Sequence, residues 1–156
     1  MKILLAIDGS KYSKVAVDEL MQMTFAPDTE VRIVTVFENV LLGAPGPVPM
    51  GGLPSDYEKA ILAEKKSAKD TVEHAAQLLK KNTQLVVTTA VLNGLPKHAI
   101  LEEAEAFNAA LIVVGSQGHG AVSRFLLGSV SQSLSMHADC SVLIVRKRST
   151  KEKNTQ

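Results

Sequence analysis

Apolar residues along this chain fall into short unbroken runs, separated by longer stretches in which they recur every third or fourth position. The first pattern predicts strands buried on both faces, and the second predicts amphipathic helices. Five runs qualify as strands: Lys2 to Asp8 (KILLAID), Glu30 to Phe37 with Val31, Ile33, Val34 and Val36, Gln84 to Val91, Ala110 to Gly115, and Val142 to Val145. Helices are predicted between them. The first spans Lys11 to Met23, with Val15, Ala16, Leu20 and Met23 at near-helical spacing. The second opens on a capping box, Ser55-Asp56-Tyr57-Glu58, and carries Ile61, Ala68, Val72, Ala75 and Leu79 on one stripe as far as about Asn82. The third has Pro96 in its first turn, uses Ile100, Leu101, Ala104 and Phe107, and stops near Asn108; the fourth follows Ser129 and ends near His137. Strands and helices alternate without an internal repeat. This predicts an α/β fold: a three-layer sandwich with a five-stranded parallel sheet and four helices over its two faces.

The segment after the fourth strand carries the strongest chemical signal. In GSQGHGAVSRFLLGSV, Gly115, Gly118 and Gly120 follow the buried run Leu111 to Val114, and Gly128 precedes Ser129, Val130, Ser131 and Gln132. Ser129 and Gln132 have capping-box spacing at a helix N-terminus. Free backbone N–H groups at such a terminus, and the positive end of the helix dipole, favour an anion, while glycine permits close backbone approach. The expectation is a phosphate cradle. It is not a P-loop, because no Lys-Ser or Lys-Thr follows a motif glycine, and it is not the dinucleotide fingerprint, because Ser123 stands where a third glycine belongs.

Gly, two residues, Gly, nine residues, Gly-Ser is the spacing that remains. It resembles the nucleotide-binding branch of the universal stress protein family, and the likeness runs from Lys2-Asp8, Gly9 and Ser10 to the closing Ser141 to Arg146, SVLIVR. That resemblance implies an adenine-nucleotide alpha-hydrolase-like sandwich with strand order 3-2-1-4-5. It also implies one ATP site made by Asp8, Gly115, Gly118, Gly128 and Ser129, with Val36 meeting adenine through its backbone. Val114, Gln117, His119 and Val130 fall at further contact positions. Many family members carry a basic residue where this chain has Gln117, which shifts the handling of phosphate charge toward backbone N–H groups, a metal ion, and His119 or Arg124. ATP is the expected ligand, with AMP and ADP as alternatives, and Mg²⁺ or Mn²⁺ is expected to be held through phosphates and waters, with no protein metal ligands. Family dimers pair along the fifth strand, so a homodimer is expected there. The implied role is a nucleotide-dependent regulator in stress adaptation that acts on an unnamed downstream protein. A slow ATPase or nucleotidyl-transfer enzyme, and a dimerisation module without a nucleotide, are the rival readings.

Composition bounds these expectations. At 156 residues, 46% hydrophobic, the chain suits one domain, placed at 1–147 with a polar tail at 148–156. A formal net charge of +1 offers no field for gripping nucleic acid, and no apolar run approaches the roughly 20 residues that span a bilayer. The MKILLAIDGS start lacks the longer apolar core and small-residue cleavage site of a signal peptide, and Cys140 is the single cysteine. A cytoplasmic protein is expected.

Several residues keep two readings. Asp8 either stabilises the turn at Gly9 and Ser10 or accepts a hydrogen bond from ribose, adenine or a metal-bound water. His119 either donates to a phosphate or points into solvent. The segment Gly43 to Pro54, GAPGPVPMGGLP, is a surface loop or a flap over the nucleotide. His137 and Cys140 form one short pair, weak grounds for a metal. No G-x-S-x-G elbow or P-loop lysine is present, so no catalytic residue is assigned, and at most slow hydrolysis is expected.

Overall fold

The structure, a computed structural model, describes residues 1–37, 55–119 and 127–147. In chain order its elements are β1 (Lys2–Ala6), α1 (Lys11–Gln22), β2 (Thr29–Phe37), α2 (Ser55–Leu79), β3 (Leu85–Asn93), α3 (Pro96–Phe107), β4 (Leu111–Gly115), α4 (Ser129–His137) and β5 (Ser141–Val145). The strands form one parallel sheet in the order β3-β2-β1-β4-β5, as expected. The segment Gly43 to Pro54, Gly120, Arg124 and the tail at 148–156 lie outside the described residues.

Side chains alternate across a strand, so β1 feeds two cores. Ile3 and Leu5 point to the face covered by α1 and α2, where they pack with Leu20, Val31, Ile33, Leu79 and Val113. Leu4 and Ala6 point to the other face, among Val34, Ile100, Phe107, Ile112 and Leu134 under α3 and α4. In register, Ile3 lies opposite Val31 and Leu111, and Leu5 opposite Ile33 and Val113. The central strand is therefore apolar on both sides, which is why its sequence is a run and not an alternation. Edge strand β3 does alternate, with Leu85 buried and Val86 exposed.

Two boundaries differ from expectation. Regular pairing of β1 stops at Ala6; Ile7 still donates to the Val34 carbonyl at 2.9 Å, but Asp8 has left the sheet to form the turn. Strand β3 runs on to Asn93 because Phe37 continues β2 as its partner. Strand β2 also carries a polar contact that periodicity did not suggest. Arg32 donates to Glu103 on α3 at 2.6 Å while its guanidinium stacks 4.2 Å from the ring centre of Phe107.

Helix ends follow local chemistry. The Ser10 hydroxyl accepts the Ser13 N–H at 3.2 Å to cap α1, and Pro96 supplies the preset first turn of α3. Asn108 ends α3 in the left-handed region (φ 53, ψ 50), with its N–H donated to Glu105 and that of Ala109 to Ala104, both at 2.9 Å. This is the Schellman pattern. Asn108→Val is expected to destabilise the fold by about 1–2 kcal/mol, because a β-branched residue resists that conformation, while Asn108→Gly leaves stability close to wild type. Urea midpoints of the two variants check this; equal losses would show that the Asn108 side chain, not the backbone conformation, matters.

Candidate functional site

The C-terminal ends of β1, β2 and β4 open into a cleft of about 380 Å³. Its location follows from topology. Strand order reverses between β1 and β4, so α1 and α4 leave on opposite faces of the sheet and a gap remains between them. All ten residues expected at the site, Asp8, Val36, Val114, Gly115, Gln117, Gly118, His119, Gly128, Ser129 and Val130, line this gap. Ser13, Thr35, Pro96, Ile100 and Ser131 line it too and were not anticipated. Ile100 belongs to the core under α3, as its periodicity predicts, and also borders the cleft.

The glycines have reasons of their own within the chain. A Cβ on Gly115 would stand 2.7 Å from the Tyr12 carbonyl carbon and 3.0 Å from the Ser13 nitrogen, so this glycine lets the start of α1 lie against β4. A Cβ on Gly118 would stand 2.7 Å from Asp8 Oδ2. On Gly128 it would lie 3.2 Å from the Gln117 Cα and 3.6 Å from the Gly118 nitrogen. Close approach is indeed what glycine provides here, but it is first the approach of chain to chain. Three segments are thereby drawn together around the cleft.

Helix α4 is built differently from the expected capping box. Its N-cap is Gly128, not Ser129, and no side chain caps it. Ser129 is the first helical residue, so Gln132 lies one position too far along to reach back, and its N–H instead makes the first helical bond to the Gly128 carbonyl at 2.9 Å. The N–H groups of Ser129, Val130 and Ser131 precede that first bond, at the wall of the cleft. They are the donors a phosphate needs at a helix N-terminus. The Gly128 N–H is already donated to the Ser116 carbonyl at 2.8 Å. That carbonyl also lies 3.0 Å from the buried Ser131 hydroxyl, which stands equally close to the Gly128 carbonyl and shares its proton between them. Ser116 in turn donates its N–H to Val145 of β5 at 2.8 Å. The loop after β4 is thus pinned to α4 and to β5.

On the opposite side the loop is pinned to the turn after β1. Asp8 Oδ1 accepts the Ser10 N–H at 2.9 Å, and Oδ2 accepts the His119 N–H at 3.2 Å. Gly9 takes φ +80 to make the turn possible. The His119 ring adds a contact that neither sequence reading foresaw: Nε2 lies 2.8 Å from the Asp8 carbonyl oxygen. A carbonyl only accepts, so Nε2 carries the proton and donates it. That proton is committed to the chain and is not the one a phosphate would receive.

No Lys or Arg is among the described residues lining the cleft. No group of three or more His, Cys, Asp or Glu is placed to hold a metal ion among the described residues. His137 Nδ1 lies 2.9 Å from the Ser133 carbonyl of its own helix, and half-buried Cys140 has its thiol pKa pushed up, chiefly by burial. Both facts favour ordinary structural roles for that pair.

The sequence model of the universal stress protein family matches residues 1–146. Universal stress protein YxiE of Bacillus subtilis is 33% identical over 147 residues, which is 93% of this chain and 98% of YxiE. Among solved structures, universal stress protein UspA from Lactobacillus plantarum superposes with a TM-score of 0.77 at 23% identity, covering 94% of this chain and 97% of its own. A universal stress protein in complex with cAMP gives a TM-score of 0.64 at 25% identity, over 95% of this chain and 98% of its own. An Arabidopsis thaliana member with AMP bound gives 0.61 at 18%, over 96% and 93%. With a match over nearly its whole length and a relative at this level of identity, the chain belongs to the universal stress protein family.

Proposed function

We propose that this protein binds an adenine nucleotide, ATP foremost, in the cleft between β1 and β4, and works as a nucleotide-dependent regulator in stress adaptation. The observation that carries the reading is the uncapped N-terminus of α4, which faces a cleft about 380 Å³ in volume at the reversal point of the sheet. That volume lies within the range of small-ligand sites. Its walls divide by chemistry. Val34, Val36, Ile100 and Val114 supply an apolar side suited to a base, and 129–131 supply N–H donors suited to phosphate. Family structures with cAMP and with AMP bound support an adenine ligand. Mg²⁺ or Mn²⁺ would come with the phosphates, held by their oxygens and by water, and would offset charge that no basic side chain at Gln117 meets. The place of action is the cytoplasm, and among the described residues no helix is long and apolar enough to cross a membrane.

We further propose that two copies pair through β5. It is an edge strand that pairs with no second strand on its outer side among the described residues, and Leu143, Ile144 and Val145 border a cleft with Val15 and Gln22 of α1. Sedimentation at micromolar concentration is expected to show a dimer; a monomer would remove this assignment.

The nucleotide is tested by denaturing freshly purified protein and identifying what is released, beside a titration of stripped protein with ATP and Mg²⁺. Stoichiometric ATP is expected. Release of AMP or ADP would replace ATP as the stored ligand, and silence in both assays would leave only the dimer module. A variant locates the site. Gly128→Val places a branched side chain against the Gln117 backbone and across the approach to α4, so ATP affinity should fall by at least about tenfold, or about 1.4 kcal/mol. Stability should fall by about 1–3 kcal/mol through overpacking, with the sheet retained by circular dichroism. Unchanged affinity in that folded variant would move the phosphate elsewhere.

A further inference from the structure

We propose that the basic tail of this chain, 148–156, docks on its own molecule: it lies along the outer edge of β5, over the acidic groove between β5 and α1, and competes there with a second copy. The competition, though not the docking, rests on the reading of β5 as the pairing edge. The groove, about 460 Å³ in volume, is bounded by Leu143 to Val145 and by Val15, Asp18, Glu19 and Gln22 of α1. Those four positions recur at helical spacing and share one face of α1. Arg146 borders the groove as well, against two carboxylates, so the lining is net acidic. Both carboxylates are exposed, and among the described residues no ion pair engages either.

The edge and the tail complement each other. Strand β5, SVLIV, carries no charge, proline or glycine, although edge strands are normally blunted by lysine or proline or are covered. The residues that follow it, 146–156, hold five basic side chains and one acidic one. In a strand, Lys151 and Lys153 share one face and Glu152 takes the other. Leu143 and Val145 point to the face covered by α1. A hairpin loop of about three or five residues after Val145 puts Lys151 and Lys153 on that same face, over Asp18 and Glu19. The lysines then blunt the new edge as well. Tethering favours the chain's own tail: it meets the groove at an effective concentration on the order of millimolar, whereas a second copy arrives at micromolar. Two copies pair through β5 only by displacing two tails. A tail docked about three times as often as not leaves about a quarter of edges free and raises the dimer dissociation constant about sixteenfold.

The test uses four full-length proteins: wild type, Lys151→Glu/Lys153→Glu, Asp18→Lys/Glu19→Lys, and the variant with all four changes. Dimer dissociation constants come from sedimentation over a dilution series. Each double variant is expected to tighten the dimer by about tenfold, because its tail is released. Repulsion between copies of altered net charge acts in the opposite direction, so the sign is diagnostic. The fourfold variant, with the charges exchanged, should return to the wild-type value. Unchanged constants in the double variants would overturn the proposal, as would tightening that the exchange of charges does not reverse. A weaker dimer in Lys151→Glu/Lys153→Glu would overturn it in favour of a tail that clasps the second copy. Four monomers would instead remove the reading of β5 as the pairing edge and leave the docking to hydrogen exchange. In that case β5 amides should exchange about fourfold more slowly in the wild type and the fourfold variant than in either double variant, and equal rates would overturn the docking itself.

Discussion

The pairing of β1 with β4 is the constraint on which the rest of the molecule depends. Strand order reverses there: β1, β2 and β3 step one way across the sheet, and β4 and β5 lie on the other side of β1. Crossover connections between parallel strands are right-handed, so the helices that serve the two directions must cover opposite faces. Helices α1 and α2 accordingly lie over Ile3, Leu5 and Val113, and α3 and α4 over Leu4, Ala6 and Ile112. Among the described residues, the seam at the C-terminal ends of β1 and β4 is left open as the cleft. A cleft at that edge is a consequence of packing, present whatever lines it; the chemistry then depends on what the two loops leaving that seam carry.

What they carry is mostly backbone. Gly115, Gly118 and Gly128 remove side chains at three places where chain meets chain, and the segments so brought together exchange hydrogen bonds: Ser116 with Val145, Gly128 and Ser131, Asp8 with Ser10 and His119. Buried polar groups in such a web must all find partners, and no buried side-chain N or O lacks one among the described residues. The web holds the donors of α4 in place before any ligand arrives. Preorganisation of that kind lowers the ordering cost that binding would otherwise carry.

Much of this was legible in the sequence, for identifiable reasons. Strands buried on both faces leave runs such as Leu111 to Val114, and helices that cover a sheet leave stripes such as Val72, Ala75 and Leu79, so the elements and their alternation could be read directly. The ten residues expected at a nucleotide site were legible because they sit at strand ends and at the glycine motif, or because family resemblance points to them, and all ten line the cleft. The failures were of a different kind. Ser129 was taken for a cap because its spacing to Gln132 is right, yet the chain entering α4 turns one residue earlier, at a glycine held by Ser116. The spacing of two residues does not reveal which of them begins the helix. Ser13, Thr35 and Ser131 were missed because a hydroxyl within a helix or strand has no periodic signature. The bond from the His119 ring to Asp8 spans 111 positions and depends on how two loops dock, which no local pattern records.

The lack of a cation in the described lining sets the character of the site. A lysine or arginine attracts phosphate from a distance and tolerates small errors of placement, whereas an N–H group contributes only within hydrogen-bond range and along its own direction. An anion met only by the first turn of α4 would gain less from long-range attraction, and the helix dipole supplies only about 0.3–1 kcal/mol for each favourable charge near an exposed terminus. Small displacements of the wall then matter greatly. Where a ligand is to be met by fixed backbone directions, whatever fixes the backbone takes the place of a side-chain charge.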